Sequence, residues 1–400
     1  MPSLRPFRIS RQHMRRLVKL AVATAGALAA FSSARPQAHK AITSKYTYNA
    51  DVFPIFRDRC GGCHVGGGAS PMSLLSYKDA VPWAESIREE LMAERMPPWY
   101  VDEESAPIKG GPSPTAHEID AIVTWATGGT PEGDPTKRPA PPGARNEWRA
   151  GRPDLIVSMD TASTMPAGTQ EETREFTLST GLREARYLKA ADLLPGTPSI
   201  VRDATISIEK GQVLAVWVPS DEAGPAPDGM AFRLPAGVNL QLRIHYKKSW
   251  QDEGVSKSDR SAIGLYFADP PAPGRELREM TVEHERDVAD PVTIAAICPT
   301  LDRPYATIDV HAQLPSGARV PLLRLRSPRP EWRRRYWLAP PVELPRGSRI
   351  EITATAAAPD SDAAISDAGA SPHGAAAQSR PSALAAVLLF CSSDNRSDGR

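Results

Sequence analysis

Two cysteines and a histidine stand within five positions of the segment "RCGGCHVGGG", as Cys60, Cys63 and His64. In Cys-x-x-Cys-His, two thiols can each form a thioether with one of the two vinyl groups of a haem, and the adjacent histidine can ligate the iron. We therefore predict one covalently attached haem c, anchored by Cys60 and Cys63, with His64 as the proximal iron ligand.

Two other chemistries use cysteines at this spacing. A thioredoxin-type redox pair needs a strand-to-helix context within a β-sheet. A zinc site needs a second pair of ligands, and the first 251 residues offer only isolated histidines for it. Both readings are weaker than covalent haem.

A second axial ligand should follow His64, because c-type haems that carry electrons are usually six-coordinate. Met96 stands in "RMPPWY", where two prolines stop the helix and fix the backbone, so we predict that its thioether is the distal ligand. Met92 is expected in a helix core and Met72 in a loop. His117, the alternative ligand, is expected at the surface of a helix.

Helical and extended patterns divide the chain. Residues 45–134 show three helical patterns, and we expect Trp83, Trp99 and Trp125 to pack around the haem. Residues 135–147 form a Pro-rich linker. Short alternating or β-branched runs follow from about Trp148. We predict a multidomain fold, a small all-α haem domain followed by all-β tandem jelly-roll-like sandwiches. Their ranges would be 148–270 and 271–392, with a disordered insertion at about 357–383.

The N-terminus has the composition of an export signal. Arginines and a lysine precede the apolar run "LVKLAVATAGALAAF", and small residues follow it. We predict a signal peptide over residues 1–38; an uncleaved anchor is the alternative. The mature chain would be periplasmic or secreted, with no stable membrane span after cleavage. A net charge of +1 gives no general attraction to nucleic acid, so an extracytoplasmic redox protein is the expected partner.

The chain resembles a bacterial arrangement in which a class I cytochrome c-like domain is fused to a copper type II, ascorbate-dependent (peptidylglycine α-hydroxylating) monooxygenase-like domain. The haem half resembles it in "VFPIFRDRCGGCH", "SPMSLLSYKDAVPWAESIREELMAERMPPW" and "EIDAIVTWATGGTPEGDP". The β half resembles it in "WRAGRPDLIV", "RYLKAADLLPG", "LPAGVNLQLRIHY" and "WRRRYWLAPPVELPRGSRIEI". The resemblance implies two sandwiches whose two copper sites face each other across a cleft.

Most copper ligands of that family are missing. Arg202 and Asp203 stand where the resemblance implies a His-His pair, and His245 keeps the third position of the first site. Thr300 and Asp302 stand in the place of a His-x-His motif, and "LAAVLLF" lacks the expected methionine. One histidine cannot hold copper at useful affinity, so we expect no copper and a catalytically inactive module.

The remaining candidates are weaker. Cys298 and Cys391 could form a disulfide, or Cys298 could make a soft-ligand site with Asp302. His311 is expected at the surface, like His284 in a charged loop and His373 in the insertion. The run "RPEWRRRYW" could dock an acidic partner, but a strand with one solvated face is the preferred reading. "VGGGAS" lacks the context of a phosphate-binding loop.

These observations predict an exported c-type cytochrome that transfers single electrons, with a degenerate monooxygenase-like β module for docking or positioning. One alternative is a copper- and ascorbate-dependent monooxygenase that receives electrons from its haem domain. The other is a binding protein that uses the old substrate cleft for a small ligand.

Overall fold

The computed structural model describes residues 43–111, 113–140, 148, 150–219, 224–357 and 386–393. The predicted signal peptide, most of the predicted linker and nearly all of the predicted insertion, with His373, lie outside the described residues. The described chain consists mostly of β-sheet, with a few short helices before the first strand.

In the described chain, three helices precede the β region. The first runs through the consecutive segments Tyr48–Val52, Phe53–Ile55 and Phe56–Cys60. The second runs through Tyr77–Ala80, Val81–Trp83 and Ala84–Met92, and the third spans Ala116–Thr127. Single turns of 3-10 helix lie at Pro135–Lys137, Trp250–Asp252 and Pro330–Trp332.

Local sequence explains where these helices begin and what they bury. Thr115 and Glu118 form a reciprocal capping box at the start of the third helix, so two otherwise unpaired backbone amides are satisfied. Ser76 caps the second helix by accepting a hydrogen bond from the Asp79 amide. The helices share one hydrophobic core whose largest member is the fully buried Trp125.

Eighteen strands make up the described part of the β region. They are β1 (Leu155–Ser158), β2 (Ser163–Met165), β3 (Glu171–Ser179), β4 (Arg186–Leu194), β5 (Val201–Ile208), β6 (Val213–Trp217), β7 (Ala231–Leu234), β8 (Asn239–Lys247), β9 (Lys257–Asp259), β10 (Ala262–Ala268), β11 (Glu276–Val282), β12 (Glu285–Asp287), β13 (Val292–Pro299), β14 (Tyr305–Gln313), β15 (Arg319–Arg326), β16 (Tyr336–Leu344), β17 (Arg349–Ala356) and β18 (Val387–Ser393).

One broad sheet runs through both halves of the β region. Its strand order is β1-β10-β4-β7-β11-β18-β13-β16, and the parallel pair β7–β11 joins the two halves. Two four-stranded sheets, β3-β8-β5-β6 and β12-β17-β14-β15, and the short pair β2-β9 complete the set among the described residues.

Two hydrophobic cores lie between these sheets, as expected for β-sandwiches. The first contains Ile263 of the broad sheet and Leu242 of β8. The second contains Leu389 of the broad sheet and Val310 of β14. Strand β8 shows how the sequence selects its face, because alternate residues from Leu240 to Tyr246 are buried. The chain therefore contains a β-sandwich region, but its two halves share a continuous sheet.

Residues 99–109, here called the connecting segment, link the second helix to the third and pack on the β region. The amide of Arg326 donates to the Tyr100 carbonyl over 2.8 Å, and the amide of Lys109 donates to the Trp337 carbonyl over 2.7 Å. The buried Asp102 carboxylate forms an ion pair with Arg326. Backbone pairing therefore attaches the helical region directly to the second β core.

Within the described residues, no helix is both long enough and apolar enough to cross a membrane.

Candidate functional site

A cavity of about 780 Å³ lies between the first and second helices. Cys60, Cys63, His64 and Met96 all line it, so the four residues that the sequence singled out converge on one space. The rest of the wall is largely apolar, for example at Leu74. A largely apolar wall with a few polar groups is typical of a cofactor pocket.

The Cys-x-x-Cys-His segment is a tight turn at the end of the first helix. The amides of Cys63 and His64 both donate to the Cys60 carbonyl, over 3.1 and 3.0 Å. Gly61 is required there, because a Cβ atom at this position would lie 2.7 Å from the carbonyl oxygen of Arg57. The turn brings both cysteines and the histidine to the same cavity wall.

One hydrogen bond orients the His64 ring. Its Nδ1 lies 3.3 Å from the carbonyl oxygen of Met72, and a carbonyl can only accept, so Nδ1 carries the proton. Nε2 then has the lone pair with which a neutral imidazole binds a metal. Metal-ligating histidines characteristically use their other nitrogen in this way, and the arrangement fits an iron ligand.

Burial and the neighbouring Cys63 raise the pKa of the Cys60 thiol to about 12. Redox-active Cys-x-x-Cys pairs instead need a lowered pKa, because the thiolate is the nucleophile. The Cys60 thiol therefore lacks the property that a dithiol redox centre needs.

Met96 reaches the cavity from the loop after the second helix. The helix ends at Met92, Glu94 has a positive φ of 54°, and the Arg95 amide donates to the Glu90 carbonyl over 3.0 Å. Met96, Pro97 and Pro98 then line the cavity wall. Met72 lines the same cavity, so two thioethers are available to it.

Two expectations about the surroundings of this site are wrong. Met92 is not a core residue, since 61% of it is exposed. The helix buries Ile87 and Leu91, and the next residue is rotated by about 100° away from that face. The expected burial of the tryptophans against the haem also fails.

None of the three tryptophans lines the cavity. Trp125 is buried in the helical core, Trp83 lines a neighbouring cavity, and Trp99 packs against Tyr336 with ring centroids 5.4 Å apart. Trp332 lines the cavity instead, although it belongs to the β region. No local pattern in the sequence pointed to Trp332.

His117 is exposed and contacts the ring of Tyr46 rather than the cavity, so it takes no part in the site.

His245 lies between two carboxylates in the first half of the β region. Its Nδ1 is 2.7 Å from Asp203 Oδ2, and its Nε2 is 2.8 Å from Glu171 Oε1. The hydrogen bond to Asp203 is the largest cause that raises the pKa of His245 above its ordinary value. Both nitrogens therefore act as donors in an imidazolium. The two carboxylates lie on opposite sides of the ring instead of pointing to one common metal position.

The other positions that the resemblance marks for copper ligands have structural partners. Arg202 donates to the Ser199 carbonyl over 3.0 Å, and burial lowers its pKa. Asp302 accepts a hydrogen bond from the Tyr305 hydroxyl over 2.6 Å. Among the described residues, no three His, Cys, Asp or Glu side chains are grouped so that they could hold a metal ion.

The predicted disulfide between Cys298 and Cys391 is not present, and both thiols are free and buried. Register on the neighbouring strands β13 and β18 pairs Cys391 with Ile294 and Cys298 with Leu388. Four positions along a strand separate the thiols by more than about 10 Å. A disulfide needs Cα atoms within about 7 Å. The two thiols also lie in different cores.

The expectation that His311 lies at the surface is wrong. His311 is only 6% exposed and lies between Asp309 and Glu351, 3.1 and 3.2 Å from its two nitrogens. His284, by contrast, is exposed as expected.

The run "RPEWRRRYW" is not a strand with one solvated face. Pro330–Trp332 is a 3-10 turn, and Arg334 is only 1% exposed. Arg335 stacks on Trp337 and Phe390, with its guanidinium carbon 4.5 and 5.1 Å from the ring centroids. Aromatic faces therefore stabilise a cation that the sequence pattern assigns to solvent.

Comparisons with known proteins give little. No family model matches the chain. No curated protein matches it either. Among solved structures it is similar to the major capsid protein P2 from Bacteriophage PM2, at 10% identity and a TM-score of 0.26, over 61% of this chain and 99% of that one. A xanthan lyase from Paenibacillus follows at 9% identity and a TM-score of 0.14, over 63% of this chain and 28% of the lyase. Scores this low support no argument about fold or function.

Proposed function

We propose that this protein is an exported c-type cytochrome that transfers single electrons through one covalently attached haem, while its β region positions the haem and docks a redox partner. The observation that carries the proposal is the convergence of Cys60, Cys63, His64 and Met96 on one largely apolar cavity. When bound, haem would supply an iron that changes between Fe(II) and Fe(III).

Each of the four residues has a distinct part. Cys60 and Cys63 would anchor the haem through thioethers. His64 would ligate the iron through Nε2, with its ring held by the Met72 carbonyl. The Met96 thioether would favour ferrous iron and raise the reduction potential, which suits an electron carrier. Apolar walls would limit access of water to the iron.

The β region contributes to the same site. Trp332 forms part of the cavity wall, and the connecting segment begins directly after the Met96-Pro97-Pro98 loop. Backbone hydrogen bonds from that segment to β15 and β16 therefore restrict the loop that carries the proposed distal ligand. We infer that the β region is a rigid support for the haem, in addition to a docking surface.

Copper-dependent hydroxylation is the weaker candidate, because His245 is engaged through both nitrogens. Copper binding there would have to displace a proton and at least one carboxylate hydrogen bond. Export rests on the basic leader and apolar run of residues 1–38.

The deciding experiment measures iron and copper per chain in full-length protein from a host that matures c-type haem, with copper supplied. We expect one iron, no stoichiometric copper, and covalent haem that survives denaturing electrophoresis. The matched control is the double variant Cys60→Ala/Cys63→Ala, which should lose covalent haem. Absence of iron from the wild type would overturn the proposal, and stoichiometric copper would favour the hydroxylase.

A further inference from the structure

Arg202 is the extra residue of a β-bulge in the first half of the β region. The pairing of β5 with β8 shifts register between Val201 and Asp203, so Arg202 between them has no residue opposite it on β8. A bulge bends a strand and changes the direction of the side chain at the extra residue, and bulges are common next to functional sites. The Arg202 side chain is held there by a hydrogen bond from its Nη1 to the Ser199 carbonyl, over 3.0 Å.

The bulge lies at the end of the β region that faces the Cys-x-x-Cys-His turn. Residues 249–251, which follow β8, line one cavity together with residues 65–68, which follow His64. Burial is the largest influence on the pKa of Arg202 and lowers it, whereas the nearby Cys63 raises that pKa more than any carboxylate does. A cation of the β region therefore stands beside the turn to which the haem would be attached.

In the part of the chain that the structure describes, no carboxylate forms an ion pair with Arg202. Asp252 and Glu171 are the acidic groups that act on it from nearby. Each is already engaged by a lysine: Asp252 Oδ1 lies 2.7 Å from Lys257 Nζ, and Glu171 Oε2 lies 2.8 Å from Lys247 Nζ. The positive charge of Arg202 is therefore only partly compensated by its surroundings.

We propose that Arg202 raises the reduction potential of the haem attached at Cys63, acting through space as a positive charge. This inference rests on the proposed function and adds a residue of the β region that tunes it. Oxidation of Fe(II) to Fe(III) adds one positive charge to the haem, so a nearby cation destabilises the oxidised form more than the reduced form. Burial strengthens the effect, because water and salt screen a buried charge less than an exposed one.

Potentiometric titration of the full-length, haem-loaded protein tests this inference. Arg202→Gln removes the charge but keeps a donor for the Ser199 carbonyl. We expect it to lower the equilibrium constant for reduction of Fe(III) about tenfold, a fall of about 59 mV for one electron. Arg202→Lys keeps the charge and should retain most of the wild-type potential. Arg243→Gln is the matched control, because Arg243 is exposed on the neighbouring strand β8 and lies 3.9 Å from Glu175. The control should leave the potential unchanged.

Haem content and the thermal midpoint of unfolding show whether each variant keeps its cofactor and its fold. If Arg202→Gln does not fold, Arg202→Met removes the same charge with an apolar side chain. An unchanged potential in a haem-loaded neutral variant would overturn the inference. An equal fall in Arg202→Lys would also overturn it, because shape rather than charge would then be responsible. Both results leave the proposed function intact, whereas a wild-type chain that takes up no haem would overturn the proposed function and this inference together.

Discussion

His64 and His245 have the same side chain but opposite surroundings. His64 hydrogen-bonds a backbone carbonyl through Nδ1 and lines a largely apolar cavity. His245 has a carboxylate on each ring nitrogen, from the two neighbouring strands β3 and β5. A neutral acceptor leaves the ring one proton and one lone pair. Two anionic acceptors favour a proton on each nitrogen, so the ring has no lone pair for a metal.

The difference shows that the partner of the second nitrogen decides what a histidine can do. Asp203 stands where the resemblance implies a histidine ligand, and here it serves as an acceptor for His245. The helical region places a histidine with a carbonyl-bound Nδ1 on the wall of a cavity, whereas the β region has a cross-strand ion cluster that also includes Lys247. A histidine at a position that the resemblance marks for a ligand is therefore not by itself a sign of metal chemistry.

Replacing His64 and His245 by alanine, one at a time, should give the largest difference in haem content. His64→Ala is expected to reduce covalently bound haem at least about tenfold, because the proposed proximal ligand is lost. His245→Ala is the matched control and should retain wild-type haem content. The measurement is haem absorbance per chain in the reduced and oxidised protein. Equal haem loss in both variants would remove the distinction between the two sites.

Alanine variants of Met72, Met92 and Met96 test which methionine is the distal ligand of the proposed haem. Met96→Ala should lower the reduction potential by on the order of 100 mV, because a thioether ligand stabilises ferrous iron. Met92→Ala, on the exposed face of the second helix, should leave it unchanged. Potentiometric titration gives both values. A shift in Met72→Ala but not in Met96→Ala would reassign the distal ligand to the other thioether of the cavity.

The smallest expected effect is a pH-dependent stability of the β region. Because the folded pKa of His245 is raised above 6.5, its stabilisation is present in full below that pH and fades as pH rises through the raised pKa. His245→Gln should flatten this decline above pH 6.5. The contribution is on the order of 1 kcal/mol, because Asp203 is largely buried whereas water screens the half-exposed Glu171.

Thermal unfolding at a series of pH values measures this decline, with His117→Gln as the surface control. Glu171 has a lowered pKa and stays ionised over that range, so its own titration does not interfere. A wild-type protein whose midpoint rises with pH above 6.5, relative to His245→Gln, would contradict the assignment of an imidazolium.

The sequence by itself determined the features that depend on neighbouring residues. Cys60, Cys63 and His64 are placed by one turn, so five positions were enough to identify them. The third helix and strand β8 were recognisable because caps and alternation are local signals. Strand β13 gives a weaker local signal, because a run such as "VTIAAICP" is buried on both faces and shows no alternation.

Only the tertiary structure decided which distant groups meet. Trp332 lines a cavity between the first two helices. Asp203 and Glu171 hydrogen-bond to His245 from two other strands. The ring of Trp337 packs on Arg335. Residue periodicity gives the face on which a side chain lies, but not the partner that another element brings to that face. The charge state of His245 and the wall of the cavity depend on those partners, so packing between remote segments had to fix them.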